Sequence, residues 1–251
     1  MLLTIDIGNT SVSCGLFKNR RLAAKWKIQT GSPGYLGPLM KKLSAHTRRN
    51  IEGVIISSVS PAGLSKARKA LARIFKKRPI ILGGDLVVPI KNLYKQPKKV
   101  GQDRLVNALA ARAFYGNGLI VIDFGTAVTF DLVTKKGEYA GGIILPGMEI
   151  SFENLARCAA LIPKVKFRFP KALVGRNTQE SMQSGIFYGY GALCDGLVDK
   201  IKNKHGRDLK VIVTGGHAGL IRKFAENIDI VNSDLTLQGL ELIYRYYKRR
   251  K

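Results

Sequence analysis

The feature that most constrains the fold is a hairpin pattern that occurs twice, about half a chain apart. It spans Leu2 to Leu16 (LLTIDIGNTSVSCGL) and returns at Leu119 to Val133 (LIVIDFGTAVTFDLV). In both segments an apolar run ends at an aspartate, Asp6 or Asp123, before a glycine-containing turn and a second apolar run, which predicts strand, turn, strand. The two aspartates lie 117 residues apart (123 − 6). Such a repeat predicts a duplicated fold with one ligand held in a cleft between two similar halves.

The remaining segments alternate between strands and helices, which is typical of the α/β class. We therefore predict two similar halves, residues 1–116 and residues 117–251. A turn-rich loop is predicted over residues 30–37, followed by a helix. A long helix is predicted from Thr178 to Lys204, and its four glycines indicate close packing against another helix, within or between chains.

The composition is ordinary for a soluble globular protein, with 45% hydrophobic and 24% charged residues. No apolar run approaches the ~20 residues of a membrane span, and the apolar start, Met1 to Ile5, lacks the charged region and cleavage site of a signal peptide. The three cysteines, Cys14, Cys158 and Cys194, are scattered without a CxxC pair, which is typical of reduced thiols. We therefore expect a cytoplasmic protein that does not bind a membrane.

The net charge is +25, from 42 Lys and Arg residues against 17 Asp and Glu residues. Such an excess is found in proteins that bind nucleic acids or anionic ligands. Here the basic residues are spread from Lys18 to Lys251, and the dense run Tyr247 to Lys251 (YKRRK) is not accompanied by helix-turn-helix or zinc-finger spacing. The pattern favours a solvated basic surface, so we expect no specific nucleic-acid partner.

An aspartate at a strand end beside a glycine turn can serve phosphate chemistry. The backbone N–H groups of the turn cradle phosphate oxygens, and the carboxylate, here Asp6, holds a hydrated Mg²⁺. A single Asp-x-Gly turn is usually only a hairpin, but its repetition at Asp123 favours the functional interpretation. Thr10, Ser11 and Thr126 would add hydroxyl donors to the two turns.

A third aspartate, Asp103, begins a predicted helix. The helix dipole stabilises an acidic residue there, whether or not the residue has another role. The functional alternative is a general base with an ordinary pKa of about 3.9, beside Arg104 or backbone N–H groups that bind an anionic substrate. The sequence leaves both interpretations open.

Motifs of other kinase classes are absent from the sequence. The chain has no GxxxxGK[ST] phosphate loop. The tripeptide Asp123-Phe124-Gly125 matches the DFG motif of protein kinases, but no HRD catalytic loop precedes it. These observations argue against both P-loop and protein kinases.

Six motifs are spread over nearly the whole chain. They are Asp6-Ile7-Gly8-Asn9-Thr10, Gly101-Gln102-Asp103-Arg104, Asp123-Phe124-Gly125-Thr126-Ala127, Gly141-Gly142 with Pro146-Gly147, Asn177-Thr178 before Gly185, and Thr214-Gly215-Gly216. Taken together and in this order, they resemble the motifs of the type III pantothenate kinase family. The family belongs to the superfamily of acetate and sugar kinases, Hsp70 and actin. The resemblance therefore implies a duplicated actin-like (ribonuclease H-like) α/β fold.

The resemblance also implies an activity: ATP-dependent phosphorylation of the 4′-hydroxyl of pantothenate by a homodimer, the first step of coenzyme A synthesis. It implies that Asp103 accepts the proton and that Asp123 binds a monovalent cation, K⁺ or NH₄⁺. The residues implied to bind ATP are Asp6, Ile7, Gly8, Asn9, Thr10, Ser11, Val12, Ser13 and Thr126. The residues implied to bind pantothenate are Tyr94, Gly101, Gln102, Asp103, Arg104 and Thr178.

Two other functional classes remain. A catalytically silent relative could act as a DNA-binding transcriptional regulator, but the intact Asp6, Asp103 and Asp123 argue against it. A kinase of another small alcohol or acid in the same superfamily is the second alternative. The length of 251 residues argues against the larger sugar kinases.

Overall fold

The computed structural model describes residues 1–29, 37, 41, 43–158 and 166–249, and it divides into two compact units. The first unit contains Met1–Phe114 and Asp234–Lys251, and the second contains Tyr115–Ser233. Residues 30–36 of the loop predicted over residues 30–37, and most of the helix predicted after it, lie outside the described residues. Among the helices that are described, none has the length and apolarity to cross a membrane.

The first unit is built on a five-stranded sheet in the order β3-β2-β1-β4-β5. Strands β1 and β2 form the predicted hairpin, β3 continues it antiparallel, and β4 and β5 add on the other side in parallel. The strands are β1 (Leu2–Ile7), β2 (Ser11–Lys18), β3 (Arg21–Gln29), β4 (Gly53–Ser58) and β5 (Ile80–Ile81). The helices up to the second hairpin are α1 (Ala45–Arg49), α2 (Pro61–Phe75) and α3 (Gln102–Tyr115), with a 3₁₀ turn at Pro97–Lys99.

The second unit repeats this arrangement, with the sheet order β10-β9-β6-β7-β8. Its hairpin and third strand are antiparallel, and its last two strands add in parallel beside β6, as their counterparts do beside β1. The strands are β6 (Leu119–Phe124), β7 (Ala127–Val133), β8 (Tyr139–Pro146), β9 (Lys210–Thr214) and β10 (Ile230–Val231). The helices are α4 (Met148–Cys158), α5 (Thr178–His205) and α6 (Ala218–Ile221). The prediction of a duplicated α/β fold is confirmed.

Local sequence signals determine where the helices begin. The Ser60 hydroxyl accepts the N–H of Gly63 at 3.3 Å and so caps α2, with Pro61 in its first turn. At α5, the Asn177 side chain accepts the Glu180 N–H at 2.9 Å, as the capping-box spacing predicts. These caps satisfy N–H groups that have no partner inside the helix.

The last helix, α7 (Leu235–Lys248), belongs to the first unit, whereas the sequence prediction placed all of residues 117–251 in the second half. Helix α7 lies over β1 and β4, where the absence of a side chain at Gly53 leaves room for the ring of Tyr244. The Thr236 hydroxyl hydrogen-bonds the Asn107 side chain on α3 at 2.7 Å. On the opposite sheet face, Leu3 and its alternate neighbours pack in a core with α2.

Candidate active site

The first hairpin sets a carboxylate between two hydroxyl side chains. Asp6, one residue before the end of β1, pairs with Ser13 on β2 and with Ser57 on β4. Paired residues on neighbouring strands point to the same sheet face, so these three side chains form one row. The turn that follows is closed by a hydrogen bond from the Gly8 N–H to the Ser11 carbonyl at 2.9 Å. This is the edge, at the carboxyl ends of parallel strands, where α/β proteins bind ligands.

The second hairpin repeats the row at corresponding positions. Asp123 on β6 pairs with Thr129 on β7 and with Thr214 on β9. The turn is closed by a hydrogen bond from the Gly125 N–H to the Ala127 carbonyl at 3.1 Å. Both halves therefore place a carboxylate between two hydroxyl side chains at the end of a central strand.

Ser57 and Thr214, which belong to these two rows, were not among the site residues predicted from the sequence. Their side-chain oxygens are buried and have no hydrogen-bond partner among the described residues. A serine or threonine at a strand end carries no signal of its own. Only the strand register shows that each central aspartate has a hydroxyl residue beside it on the following parallel strand.

Two glycines let the backbone pack against the second turn. Gly147 N–H donates to the Thr126 carbonyl at 3.0 Å, and a Cβ at this position would overlap that carbonyl. Gly215 has a φ of +94°, and a Cβ there would overlap the carboxylate of Asp123. These contacts explain why glycines occur in both motifs, because any side chain would displace the turn or the carboxylate.

Asp103 lies in the first turn of α3, half-buried, with its Oδ1 atom buried and without a hydrogen-bond partner among the described residues. Burial raises the pKa of the Asp103 carboxyl, while the backbone N–H and guanidinium of Arg104 act in the opposite direction. The ordinary pKa assumed from the sequence is therefore wrong. A carboxylate with a raised pKa and an unused acceptor oxygen is suited to take a proton from a hydroxyl group.

The other residues expected to bind substrate have diverse surroundings. Gly101 precedes α3, and a Cβ there would overlap Asp103 Oδ1, so a glycine at this position leaves room for the Asp103 carboxylate. Arg104 is buried, whereas Tyr94 lies exposed in the loop before the 3₁₀ turn. Thr178 is the exposed first residue of α5.

The expected site residues are distributed over both units. The first unit contains Asp6 to Ser13, Tyr94 and Gly101 to Arg104. The second contains Asp123, Thr126 and Thr178. Within the first unit the pairing of strands brings Ser57 beside Asp6, and within the second it brings Thr214 beside Asp123.

The donor set at each row fits a hard cation, because carboxylate and hydroxyl oxygens are the ligands that such ions prefer. The orphaned oxygens of Ser57 and Thr214 support this fit, since both are buried and without a partner in the described part of the chain. No group of three or more His, Cys, Asp or Glu side chains that could hold a metal occurs among the described residues.

Solved structures share the fold at low sequence identity. A protein described as a transcriptional activator of the Baf family, from Campylobacter jejuni, superposes with a TM-score of 0.62 at 18% identity, covering 98% of this chain and 99% of the other. MreB 5 of Spiroplasma citri, bound to AMPPNP, gives a TM-score of 0.55 at 10% identity, covering 99% of this chain and 97% of the other. These similarities concern the fold alone, and they confirm the actin-like architecture.

Sequence comparison is more specific. The family model described as type III pantothenate kinase matches residues 2–200. The type III pantothenate kinase of Halalkalibacterium halodurans is 41% identical over 251 residues, covering 98% of this chain and 99% of the relative. That of Myxococcus xanthus is 40% identical over 250 residues, covering 97% of this chain and 98% of the relative. The chain therefore belongs to the type III pantothenate kinase family.

Proposed function

We infer that this protein transfers the γ-phosphoryl group of ATP to the 4′-hydroxyl of pantothenate. The observation that carries the proposal is the match to type III pantothenate kinases over nearly the whole chain, and the half-buried carboxylate of Asp103 at the start of α3 is the proposed base. The test is ADP release by the purified protein with pantothenate, a sugar and acetate side by side. Release with pantothenate alone supports the proposal, and release with only a sugar or acetate favours another kinase of the same superfamily.

Asp103 acts as the general base in this proposal. The substrate hydroxyl donates its hydrogen bond to the Asp103 carboxylate, and the proton passes to that carboxylate as the new oxygen–phosphorus bond forms. Phosphoryl transfer has a loose transition state, so the proton becomes acidic late, and the main task of the carboxylate is to orient the attacking oxygen. Gly101 and the buried Arg104 lie beside it and would hold the rest of pantothenate, together with Gln102, Tyr94 and Thr178.

ATP would be held by the two hairpin turns, through Asp6 to Ser13 in the first unit and Thr126 in the second. The turns closed by the Gly8 and Gly125 hydrogen bonds lie near the strand ends, and backbone N–H groups of such turns can bind phosphate oxygens. Asp6 would hold Mg²⁺ through water, and Asp123 would hold K⁺ or NH₄⁺. When bound, these cations neutralise negative charge on the phosphates.

We also propose that the protein is a homodimer that packs through the glycine face of α5. Gly185, Gly189 and Gly196 are exposed, and a Cβ on any of them would meet nothing within 4 Å. Gly191 is different, because it is buried against the Phe224 backbone and is needed inside the unit. An exposed glycine in a helix interior costs about 1 kcal/mol relative to alanine, so close packing against a second copy would explain the other three.

The dimer proposal is tested by Gly189→Ala together with Gly185→Ala. If this face packs against a second copy, the added methyl groups should shift the protein toward monomer in light scattering at micromolar concentration. If the face is open to solvent, the same changes should stabilise α5 by about 1 kcal/mol each and leave the mass unchanged. A wild-type protein that is already monomeric would contradict the proposal.

The DNA-binding alternative is not favoured by the family relationship. The basic surface should bind DNA only through phosphate contacts. Such binding weakens steeply as the salt concentration rises, because the release of counterions from the DNA then becomes less favourable. We expect non-specific DNA binding to be lost near physiological salt, as measured by fluorescence anisotropy with two unrelated duplexes. A footprint on one sequence that persists at that salt would restore the alternative.

The scattered cysteines support our proposal that the enzyme works in the cytoplasm.

A further inference from the structure

Both halves of the fold place a buried hydroxyl beside the aspartate that lies one residue before the end of the central strand. Ser57 is the parallel-strand neighbour of Asp6, and Thr214 is the parallel-strand neighbour of Asp123. Ser57 is 0% exposed and Thr214 is 1% exposed. Neither side-chain oxygen has a hydrogen-bond partner among the described residues.

The two buried hydroxyl groups lower the stability of the folded protein if nothing hydrogen-bonds to them. A buried polar group without a hydrogen bond destabilises the folded state, and an apolar side chain of similar shape would remove this cost. The same cost occurs twice, at corresponding positions of the repeat, although the remaining residues of β4 and β9 are mostly apolar. Buried polar groups are normally satisfied, and a bound water or ion is an ordinary partner when protein atoms supply none. Because the unpartnered hydroxyl occurs in both halves, we take the hydrogen-bond partner of the Ser57 and Thr214 side-chain oxygens to be a bound ligand.

We propose that Ser57 and Thr214 are positioning residues for the two cations of the phosphoryl transfer. The inference rests on the proposed function, because that reaction brings the ATP phosphates and their cations to the strand ends. Mg²⁺ dehydrates reluctantly, so Ser57 hydrogen-bonds a water molecule of the ion that Asp6 holds. A monovalent ion such as K⁺ sheds water more readily and accepts oxygen ligands directly, so Thr214 Oγ1 joins Asp123 in binding it.

The proposal assigns a different ion to each hydroxyl, and this allows each variant to serve as the control for the other. Ser57→Ala and Thr214→Val each remove one hydroxyl and little else. With a non-hydrolysable ATP analogue present, Mn²⁺ affinity is measured by electron paramagnetic resonance and Tl⁺ affinity by ²⁰⁵Tl nuclear magnetic resonance. Ser57→Ala should weaken only Mn²⁺ binding and Thr214→Val only Tl⁺ binding, each by roughly three- to tenfold, the effect of one hydrogen bond.

Thermal unfolding separates ion binding from structure. Removing an unsatisfied buried hydroxyl should leave the melting temperature unchanged or raise it, whereas removing a structural hydroxyl should lower it. Thr214→Ser keeps the hydroxyl and should retain Tl⁺ affinity. If Ser57→Ala does not fold, Ser57→Cys replaces the hydroxyl by a weak donor of similar size and should also weaken Mn²⁺ binding.

Unchanged affinity for both ions in both variants, or an equal loss for both ions in each, would overturn the inference. The outcome is independent of the substrate assignment, since ion binding is measured without phosphoryl transfer. A wild-type protein that does not phosphorylate pantothenate, but whose variants still show the ion-specific losses, would refute the proposed substrate and leave the positioning role intact.

Discussion

Replacing Asp103 by asparagine should lower kcat for pantothenate phosphorylation by roughly 10²–10⁴, the usual contribution of a general base. Asparagine has nearly the same shape, so α3 should still begin at the same place, but the amide cannot accept the proton. The affinity for ATP should change little, because the residues expected to bind ATP lie on the hairpins rather than on α3. Steady-state ADP release measures kcat, and ATP binding is measured separately by calorimetry.

The pH dependence should identify the same group. Because burial raises the pKa of Asp103, the basic form is lost at a higher pH than an ordinary aspartate would require. For the wild type, kcat/KM should therefore fall as the pH is lowered through this raised pKa and should level off at higher pH. This fall of kcat/KM at low pH, the acid limb of the profile, should be absent in Asp103→Asn, because the residual activity of that variant does not depend on the carboxyl group.

Asp208→Asn provides a matched control. Asp208 is an exposed carboxylate that pairs with Lys135 at 2.8 Å, and an exposed pair of this kind contributes little to stability. The control should retain both kcat and the acid limb. If Asp103→Asn retains near-normal kcat, the carboxylate serves only as a helix-start residue, and the proposed base is wrong.

Features encoded over short stretches of sequence could be predicted. The apolar runs around Asp6 and Asp123 correctly predicted both hairpins. The spacing of Asn177 and Glu180 correctly predicted where α5 begins. These elements depend on neighbours a few residues away, so a local pattern is sufficient. The duplicated topology followed because the same pattern occurs twice.

Features that depend on long-range packing could not be predicted. The placement of α7 in the first unit depends on the fit of Tyr244 beside Gly53, two residues far apart in the chain. The pKa of Asp103 depends on burial, which the sequence does not reveal. Ser57 and Thr214 gained meaning only when the strand register placed them beside the two aspartates. In each case the missing information was tertiary contact.

Gly215→Ala should disrupt the row of side chains formed by Asp123, Thr129 and Thr214. The φ of +94° at Gly215 is unfavourable for any residue with a side chain, at a cost of roughly 1–2 kcal/mol. The new methyl group would also overlap the Asp123 carboxylate and approach the Phe124 carbonyl oxygen at 2.6 Å. One of these groups must move, and a displacement of about 1 Å at a reacting centre can lower the rate on the order of 10²-fold.

The matched control is Gly219→Ala, four positions along the chain. Gly219 is exposed on α6, and a Cβ there would meet nothing within 4 Å, so the control should keep or slightly raise the melting temperature. Thermal unfolding, kcat and activation by K⁺ are measured for both variants. We expect Gly215→Ala to melt at a lower temperature and, where still folded, to lose kcat and the response to K⁺ together, because the carboxylate that would hold the ion is the group displaced. Wild-type activity and K⁺ response in a folded Gly215→Ala protein would show that the position of Asp123 does not matter to the reaction.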